Sequence, residues 1–242
     1  MIKLKDILLE SDKLNILIPR RSKEERYKKY LITIQKEIQD YIKNGSQGHL
    51  MLRNFPFSEL PSNLTHVGGH LGLVNSKVTK LPENLKIDKS LILDGSPITE
   101  IPESISIGHG LGIDKTLITK LPNNITNLGY LAMNQTKVTE LPSNLKAIFG
   151  DLTASDASLI KLPDDLYIGG ELYLHRTPIQ RLPDNLTVEG DIKANWTQLS
   201  ELPKNLSVKG NLELQDTPLS KKYTREQLKQ LLPGVKGRIG NV

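Results

Sequence analysis

The sequence contains no cysteine, and this absence excludes disulfides, thiolate metal sites and every mechanism that needs a cysteine nucleophile. Its 242 residues include no apolar run close to the roughly 20 residues that span a bilayer, and Lys5 and Asp6 interrupt any signal-peptide core. Aromatic residues make up only 5% of the chain, but 37% of the residues are hydrophobic. This composition predicts a folded, soluble, cytoplasmic protein with no membrane contact.

Positive charge is concentrated at the two ends of the chain. The 32 basic and 27 acidic residues give a net charge of +5, yet residues 48–221 between the ends are slightly acidic. Nucleic-acid-binding proteins usually carry a continuous basic stripe, which the middle of this chain lacks. The sequence therefore favours a partner other than nucleic acid, and contact through the basic termini is the alternative.

A 20-residue repeat organises the middle of the chain. Its unit reads L-P-x-N-L-x-V-x-G-x-L-x-L-x-x-T-x-I-x-x, and repeats of this length are typical of solenoids. The V-x-G-x-L-x-L segment alternates apolar and polar residues, which predicts one half-buried strand per repeat. One repeat buries too little apolar surface to fold alone, so neighbouring repeats must stack and pair their strands in a parallel sheet. Leu-Pro or Ile-Pro pairs mark the repeats at Leu60, Leu81, Ile101, Leu121, Leu141, Leu162, Leu182 and Leu202.

Two rows of polar residues recur at fixed positions in the repeats. A Thr or Ser precedes the last inward Leu or Ile by two positions, and an Asn or Asp follows the Leu-Pro pair. We expect both rows to bond the turn backbone of neighbouring repeats, because those backbone groups would otherwise be buried without partners. The first row, which Ala157 interrupts, is Ser76, Ser96, Thr116, Thr136, Thr177, Thr197 and Thr217; the second is Asn63, Asn84, Asn124, Asn144, Asp165, Asn185 and Asn205.

The pattern L-x-L-x-x-T-x-I-x-x-L-P over residues 48–221 resembles the leucine-rich repeat. The 20-residue length and the Leu-Pro corners resemble the short repeats of bacterial type III secreted effectors and related phage-encoded proteins. The resemblance implies an α/β leucine-rich-repeat solenoid with a parallel sheet on its concave face and a mostly non-helical convex side. Thr or Ser stands where the family usually has Asn. The ubiquitin-ligase members of the family use a catalytic Cys in a separate domain, and this chain has neither.

We expect caps to close both ends of the stack, because an open solenoid exposes an apolar face and unpaired strand edges. Residues 1–47 are predicted to form a helical N-terminal cap, with a capping box at Ser22–Glu25 and a helix over 22–43. Its apolar face comprises Tyr27, Leu31, Ile34, Ile38 and Tyr41. Residues 222–242 are predicted to form a C-terminal cap, which consists of a short helix followed by a strand within 235–240. The helix has a capping box at Thr224–Gln227 and an apolar stripe of Leu228, Leu231 and Leu232.

The first ten residues, MIKLKDILLE, resemble short amphipathic leaders of tailed-phage proteins. Leu8-Leu9-Glu10 is similar to sites cut by phage prohead proteases, which favour Leu or Ile two residues before Glu. This resemblance raises two alternatives, a phage origin and a place in the virion.

Outward strand positions of such a solenoid line the concave face. The outward position between the two leucines of L-x-L is small or apolar in the early repeats, and it becomes large and polar towards the end of the chain. The single Trp lies just after one of the last predicted strands. Exposed Trp, Tyr and Arg are frequent anchors of protein interfaces. The predicted partner-binding residues are Tyr130, Asp151, Glu171, Tyr173, His175, Arg176, Asp191, Lys193, Trp196 and Glu213.

Signs of an enzyme are missing from the sequence. His49 and His70 occupy equivalent positions in adjacent repeats, as do Asp94 and Asp114, but neither pair has the further ligands that zinc or calcium sites need. No nucleophile has a spaced His partner. We therefore expect no catalytic residue, no metal and no cofactor.

The sequence predicts a non-catalytic module that binds a protein partner. One hypothesis is a phage or bacterial factor that acts on a host protein. The alternatives are a structural or internal virion protein of a tailed phage, and nucleic-acid contact through the basic termini.

Overall fold

The computed structural model describes residues 22–240, so the leader-like first ten residues lie outside the described part of the chain. Internal contacts divide the chain into one unit up to Asp40 and a second unit from Tyr41 onward, which holds the repeats. Helix α1, Lys23–Lys43, begins at the predicted capping box: the Glu25 N–H donates to Ser22 Oγ at 3.2 Å, and the Ser22 N–H donates to Glu25 Oε2 at 2.9 Å. The predicted helix is therefore confirmed, and its role as a cap stays a prediction.

The repeats pair through one long parallel sheet, which we call the main sheet. Its strands follow each other in chain order, one per repeat, and a final strand after the repeats extends it. The strands are Leu50–Met51, Leu71–Gly72, Leu91–Ile92, Gly110–Gly112, Tyr130–Ala132, Leu152–Thr153, Leu172–Tyr173, Ile192–Lys193, Leu212–Glu213 and Ile239–Gly240. This arrangement confirms the predicted repeat solenoid with a parallel sheet and the predicted strand within 235–240.

Each repeat also carries a second short strand, which the sequence did not predict. The V-x-G-x-L-x-L segment was expected to form one strand, but a bend at its central position, which is glycine in most repeats, divides it in two. One additional parallel sheet comprises His66–Val67, Lys86–Ile87 and Ser106–Ile107, and another comprises Asn127–Leu128, Ala147–Ile148, Tyr167–Ile168, Thr187–Val188 and Ser207–Val208.

The bend brings the backbones of successive repeats into close contact. A Cβ added at Gly190 would lie 2.7 Å from the Gly170 carbonyl oxygen, and one at Gly210 would lie 2.6 Å from that of Gly190. Such distances are shorter than van der Waals contact, so a side chain is sterically excluded at Gly190 and Gly210. Two earlier repeats carry Lys89 and His109 at the same position of the backbone ladder, so the close approach is specific to the later repeats.

The core is a column of leucine, isoleucine and valine side chains from successive repeats. Leu172, Leu174 and Ile179, which the alternating pattern placed inside, are fully buried. Burial of each such side chain contributes about 1.5–3 kcal/mol. Because each strand pairs with its counterparts in the preceding and following repeats, this column is continuous through the stack.

The two polar rows behave differently. Thr and Ser hydroxyls donate to the carbonyl three residues earlier in their own repeat, as Thr177 does to Leu174 and Thr197 to Ala194, both at 2.8 Å. The prediction that they bond neighbouring repeats is wrong, because each of these hydroxyls donates to a carbonyl of its own turn instead. The longer amides of the second row do cross: Asn205 Nδ2 donates to Asn185 Oδ1 at 3.0 Å.

Two short helices precede the last strand. Helix α2, Pro218–Lys222, is capped by Thr217, and helix α3, Arg225–Leu231, begins at the predicted box of Thr224 and Gln227. Within the predicted apolar stripe Leu228 and Leu232 are buried, but Leu231 is 49% exposed. The inclusion of Leu231 in the stripe is wrong, because this short helix buries only the face that carries Leu228. Leu212 and Glu213 then pair with Ile239 and Gly240.

Candidate functional site

The outward positions of the main sheet form a continuous face, which we call the sheet face. The outward residues between the two leucines of each L-x-L form a middle column, in which each residue pairs with its counterpart in the next repeat. Met51 pairs with Gly72 at one end of the column, and Lys193 pairs with Glu213 at the other. Gly72 and Gly112 add no side chain to this column, whereas Tyr173 and Lys193 do. The middle column of the sheet face is thus small or apolar in the first repeats and polar in the last ones.

Three predicted site residues form one bonded cluster on this face. Lys193 Nζ donates to Glu171 Oε2 at 2.5 Å and to Tyr173 Oη at 3.3 Å, and it lies 4.5 Å from the centre of the Tyr173 ring. The hydrogen bond from Lys193 lowers the pKa of Glu171, and the same bond raises the pKa of Lys193. The hydrogen bond to Glu171 raises the pKa of Tyr173. At neutral pH Lys193 and Glu171 are therefore charged and paired, and the Tyr173 phenol is neutral.

A row of left-handed residues follows the strands of the main sheet. Its members all have φ between +53° and +68°, and they are Asn54, Asn75, Gly95, Lys115, Gln135, Asp156, Arg176, Trp196 and Asp216. Asn and Gly tolerate this conformation, whereas it is strained for a bulky residue such as Trp196. The turn holds the Trp196 side chain 44% exposed.

Arg176 and Trp196 form a rim beside the bonded cluster. Arg176 Nε and one terminal nitrogen donate to the two carboxylate oxygens of Asp156 at 2.5 and 2.9 Å. This two-point bond fixes the guanidinium plane. The guanidinium carbon lies 5.9 Å from the centre of the Trp196 ring, within the range of a cation–π interaction.

His175 lies between the rim and the bonded cluster. Its ring centre is 6.2 Å from that of Trp196, and its Nδ1 is buried without a hydrogen-bond partner among residues 22–240. Burial lowers the pKa of His175, and Glu213 opposes this effect. Buried polar atoms without partners are rare, so this ring marks a place where the regular bonding of the repeat is broken.

That regular bonding is visible at the same position in other repeats. Asp114 Oδ1 accepts the Asn134 N–H at 2.7 Å, and Asn195 Oδ1 accepts the Gln215 N–H at 2.7 Å. Asn195 also donates to Glu213 Oε2 at 2.9 Å, which joins the predicted residue Glu213 to the site. These hydrogen bonds from backbone N–H groups to side-chain oxygens form a ladder between repeats. His175 occupies the same position, but its Nδ1 accepts no such bond, so the ladder is interrupted there.

Two predicted carboxylates take part in a second ladder. Asp151 Oδ1 accepts the Glu171 N–H at 2.8 Å, and Asp191 Oδ1 accepts the Asn211 N–H at 2.6 Å. Both side chains therefore hold neighbouring repeats together, and they border the bonded cluster. Tyr130 lies apart from it: its ring centre is 5.8 Å from that of His109, towards the earlier repeats.

Three further residues belong to this surface or its surroundings and were not predicted from the sequence. Asp156 holds Arg176, and Asn195 holds Glu213; the first could have been found from its position, exactly one repeat before Arg176. Phe149 is 64% exposed on the second row of strands. Phe149 could have been found from the repeat alignment, because the equivalent position in other repeats is Asp, Gly, Glu or Lys.

Neither metal coordination nor membrane insertion finds support in residues 22–240. No group of three or more His, Asp or Glu side chains in that range could hold a metal ion. Within the same range no helix combines the length and the apolarity that a membrane crossing requires. A surface depression of about 430 Å³ lies elsewhere, beside Ile160, Pro178 and Arg181.

Comparisons with known proteins add one structural likeness. No protein-family model matches the chain, and no curated protein is significantly similar to it in sequence. Among solved structures it is similar to YopM, a leucine-rich effector protein from Yersinia pestis, with 21% identity and a TM-score of 0.44. The match covers 81% of this chain and 72% of YopM.

Proposed function

We propose that this chain is a non-catalytic interaction module that holds a protein partner on the sheet face, at the repeats around Tyr173, Lys193 and Trp196. The observation that carries the proposal is the exposed indole of Trp196, which a left-handed turn holds beside Arg176. Strained residues persist where surrounding structure fixes them, and they cluster at functional sites. Trp, Tyr and Arg dominate the energetics of protein interfaces.

The charged groups of the site support recognition rather than catalysis. A general acid or base works best when its pKa lies near the operating pH. Here the Lys193–Glu171 bond raises the pKa of the lysine and lowers that of the glutamate, so both move away from neutrality. Paired and fixed side chains also lose little conformational entropy when a partner covers them.

Affinity capture with matched variants tests the proposal. The wild-type chain, Trp196→Ala, Tyr173→Ala and the control Phe149→Ala are used as bait in an extract of the producing cell and of any host that it infects. Phe149 is an exposed aromatic residue on a different row of strands. We expect one protein to be retained by the wild type and by the control, and its affinity, measured with purified components, to fall at least about tenfold for Trp196→Ala.

Equal binding by Trp196→Ala, Tyr173→Ala and Lys193→Glu would refute the site. The identity of the captured protein also decides whether the partner belongs to a host cell, as the phage or bacterial hypothesis holds. Mass spectrometry of purified particles, searched for a chain that begins at Ser11, tests the virion alternative. For contact of the basic termini with nucleic acid, the test is a gel shift with and without residues 1–21 at several salt concentrations.

A further inference from the structure

Two histidines act as hydrogen-bond acceptors between the first repeats. His49 and His70 each stand one residue before a strand of the main sheet. Nδ1 of His49 accepts the backbone N–H of His70 at 2.9 Å, and Nδ1 of His70 accepts that of Ser90 at 3.1 Å. The two rings are stacked, with centres 4.7 Å apart and planes inclined by 20°.

The same position carries a carboxylate or an amide in the later repeats. Asp151 accepts the Glu171 N–H and Asp191 accepts the Asn211 N–H, as described above. Asn211 Oδ1 then accepts the Arg238 N–H at 2.9 Å. One ladder position is therefore filled by different acceptors, and of these only an imidazole nitrogen changes from acceptor to donor when it gains a proton.

Protonation is incompatible with both histidine bonds. A nitrogen that accepts an N–H carries no proton, so both rings must be the neutral form protonated at Nε2. A proton on Nδ1 would place two donors against each other. If both rings were charged, two cations would also be stacked 4.7 Å apart.

The groups that face His70 all oppose its protonation. Burial lowers the pKa of His70, and His49, Lys89 and His109 lower it further. The folded state therefore binds fewer protons than the unfolded state, whose histidines titrate near pH 6.5. The bond contributes its full stability above that value and loses it as the pH falls through the lower folded pKa.

We propose that His49 and His70 form a pH-sensitive joint that fastens the first repeats to each other at neutral pH and releases them in mild acid. The joint acts on residues 48–90, at the end of the sheet face where the middle column is small or apolar. The later repeats, joined at this position by Asp151, Asp191 and Asn211, stay closed over the same pH range.

Amide hydrogen exchange of the full chain tests the joint through the two N–H groups that the rings hold. Between pH 7.5 and 5.0 we expect the protection factors of the His70 and Ser90 amides to fall about fivefold or more, the factor that loss of one ordinary hydrogen bond produces. The equivalent amides of Glu171 and Asn211 should keep their protection and serve as internal controls.

The variant His49→Asn/His70→Asn should make that protection independent of pH, because Asn fills the same position at Asn211 without titrating. His66, whose Nε2 lies 2.9 Å from Asp88 Oδ2, supplies the matched control His66→Gln, which should keep the wild-type pH response. Protection of the His70 and Ser90 amides that is unchanged at pH 5.0, or a fall that persists in the double variant, would overturn the proposal.

Ring nitrogen chemical shifts of the wild type give an independent reading that does not depend on folding of the variants. We expect both rings to be the neutral Nε2–H form at pH 7.5. A proton on Nδ1 of either ring at that pH would also overturn the proposal.

Discussion

Asp156 and Trp196 lie two repeats apart and are joined through Arg176, whose guanidinium is bonded by the carboxylate and lies 5.9 Å from the indole. The hydrogen bond and charge of Asp156 raise the pKa of Arg176, and those of Arg176 lower the pKa of Asp156. The carboxylate therefore positions the cation that covers one side of the exposed tryptophan.

Removal of that carboxylate should expose the tryptophan. Because Trp196 is the single Trp of the chain, its fluorescence reports on the rim alone. For Asp156→Ala we expect Arg176 to leave the ring and acrylamide quenching of Trp196 to increase. The control Asp164→Ala removes an exposed carboxylate elsewhere. Equal quenching in both variants would show that Asp156 does not position the rim.

The bonded cluster makes a prediction about pH. Because Lys193 lowers the pKa of Glu171, this interaction stabilises the folded state above the ordinary glutamate pKa of about 4.3, and the stabilisation is lost as the pH falls through the lower folded value. In Lys193→Met the pKa of Glu171, measured by NMR titration of the side-chain carboxyl, should rise. An unchanged pKa would mean that the ion pair does not form in solution.

The hydroxyl row predicts one stabilising and one destabilising change. Thr197 is fully buried and donates to the Ala194 carbonyl, so Thr197→Val should lower the free energy of unfolding by about 1–3 kcal/mol. Ala157 occupies the same position without a hydroxyl, and Ala157→Thr should raise that free energy by about 0.5–1.5 kcal/mol. Urea denaturation measures both, with the exposed Thr139→Val as the control; destabilisation by Ala157→Thr would contradict the proposed bond.

The glycine bend predicts a steric cost. In Gly190→Ala the new methyl group would press on the Gly170 backbone, and we expect the free energy of unfolding to fall by about 1–3 kcal/mol. At Gly240 an added Cβ meets no atom within 4 Å, so Gly240→Ala is the matched control and should unfold like the wild type. Comparable stability of the two variants would argue against the close approach of the repeats.

The register of the main sheet was predictable because the repeat itself encodes it. Leu-Pro pairs 20 or 21 residues apart place Tyr173 beside Lys193, and the structure confirms this pairing. The division of each predicted strand was not predictable from alternation, since it depends on how closely two backbones approach at glycines such as Gly190.

Other features required knowledge of three-dimensional contacts. The left-handed turn at Trp196 was signalled by Asn54, Asn75 and Gly95 at the same position, but nothing local revealed that Arg176 would lie against the ring. Helix α2 forms after Thr217-Pro218, whereas the identical Thr177-Pro178 forms none. In α2 Ser220 completes a capping box with Thr217, but Gln180 could do the same for Thr177, so the box alone does not explain the helix.

The ladder bonds join residues mainly twenty or twenty-one positions apart, and each repeat offers the next one an equivalent set of acceptor atoms. Removal of one complete copy, such as 121–140, therefore brings together residues that already occupy matching places. We therefore expect the chain to tolerate a change of length by whole repeats, because the bonds around Lys193 and those around His70 each involve only neighbouring repeats.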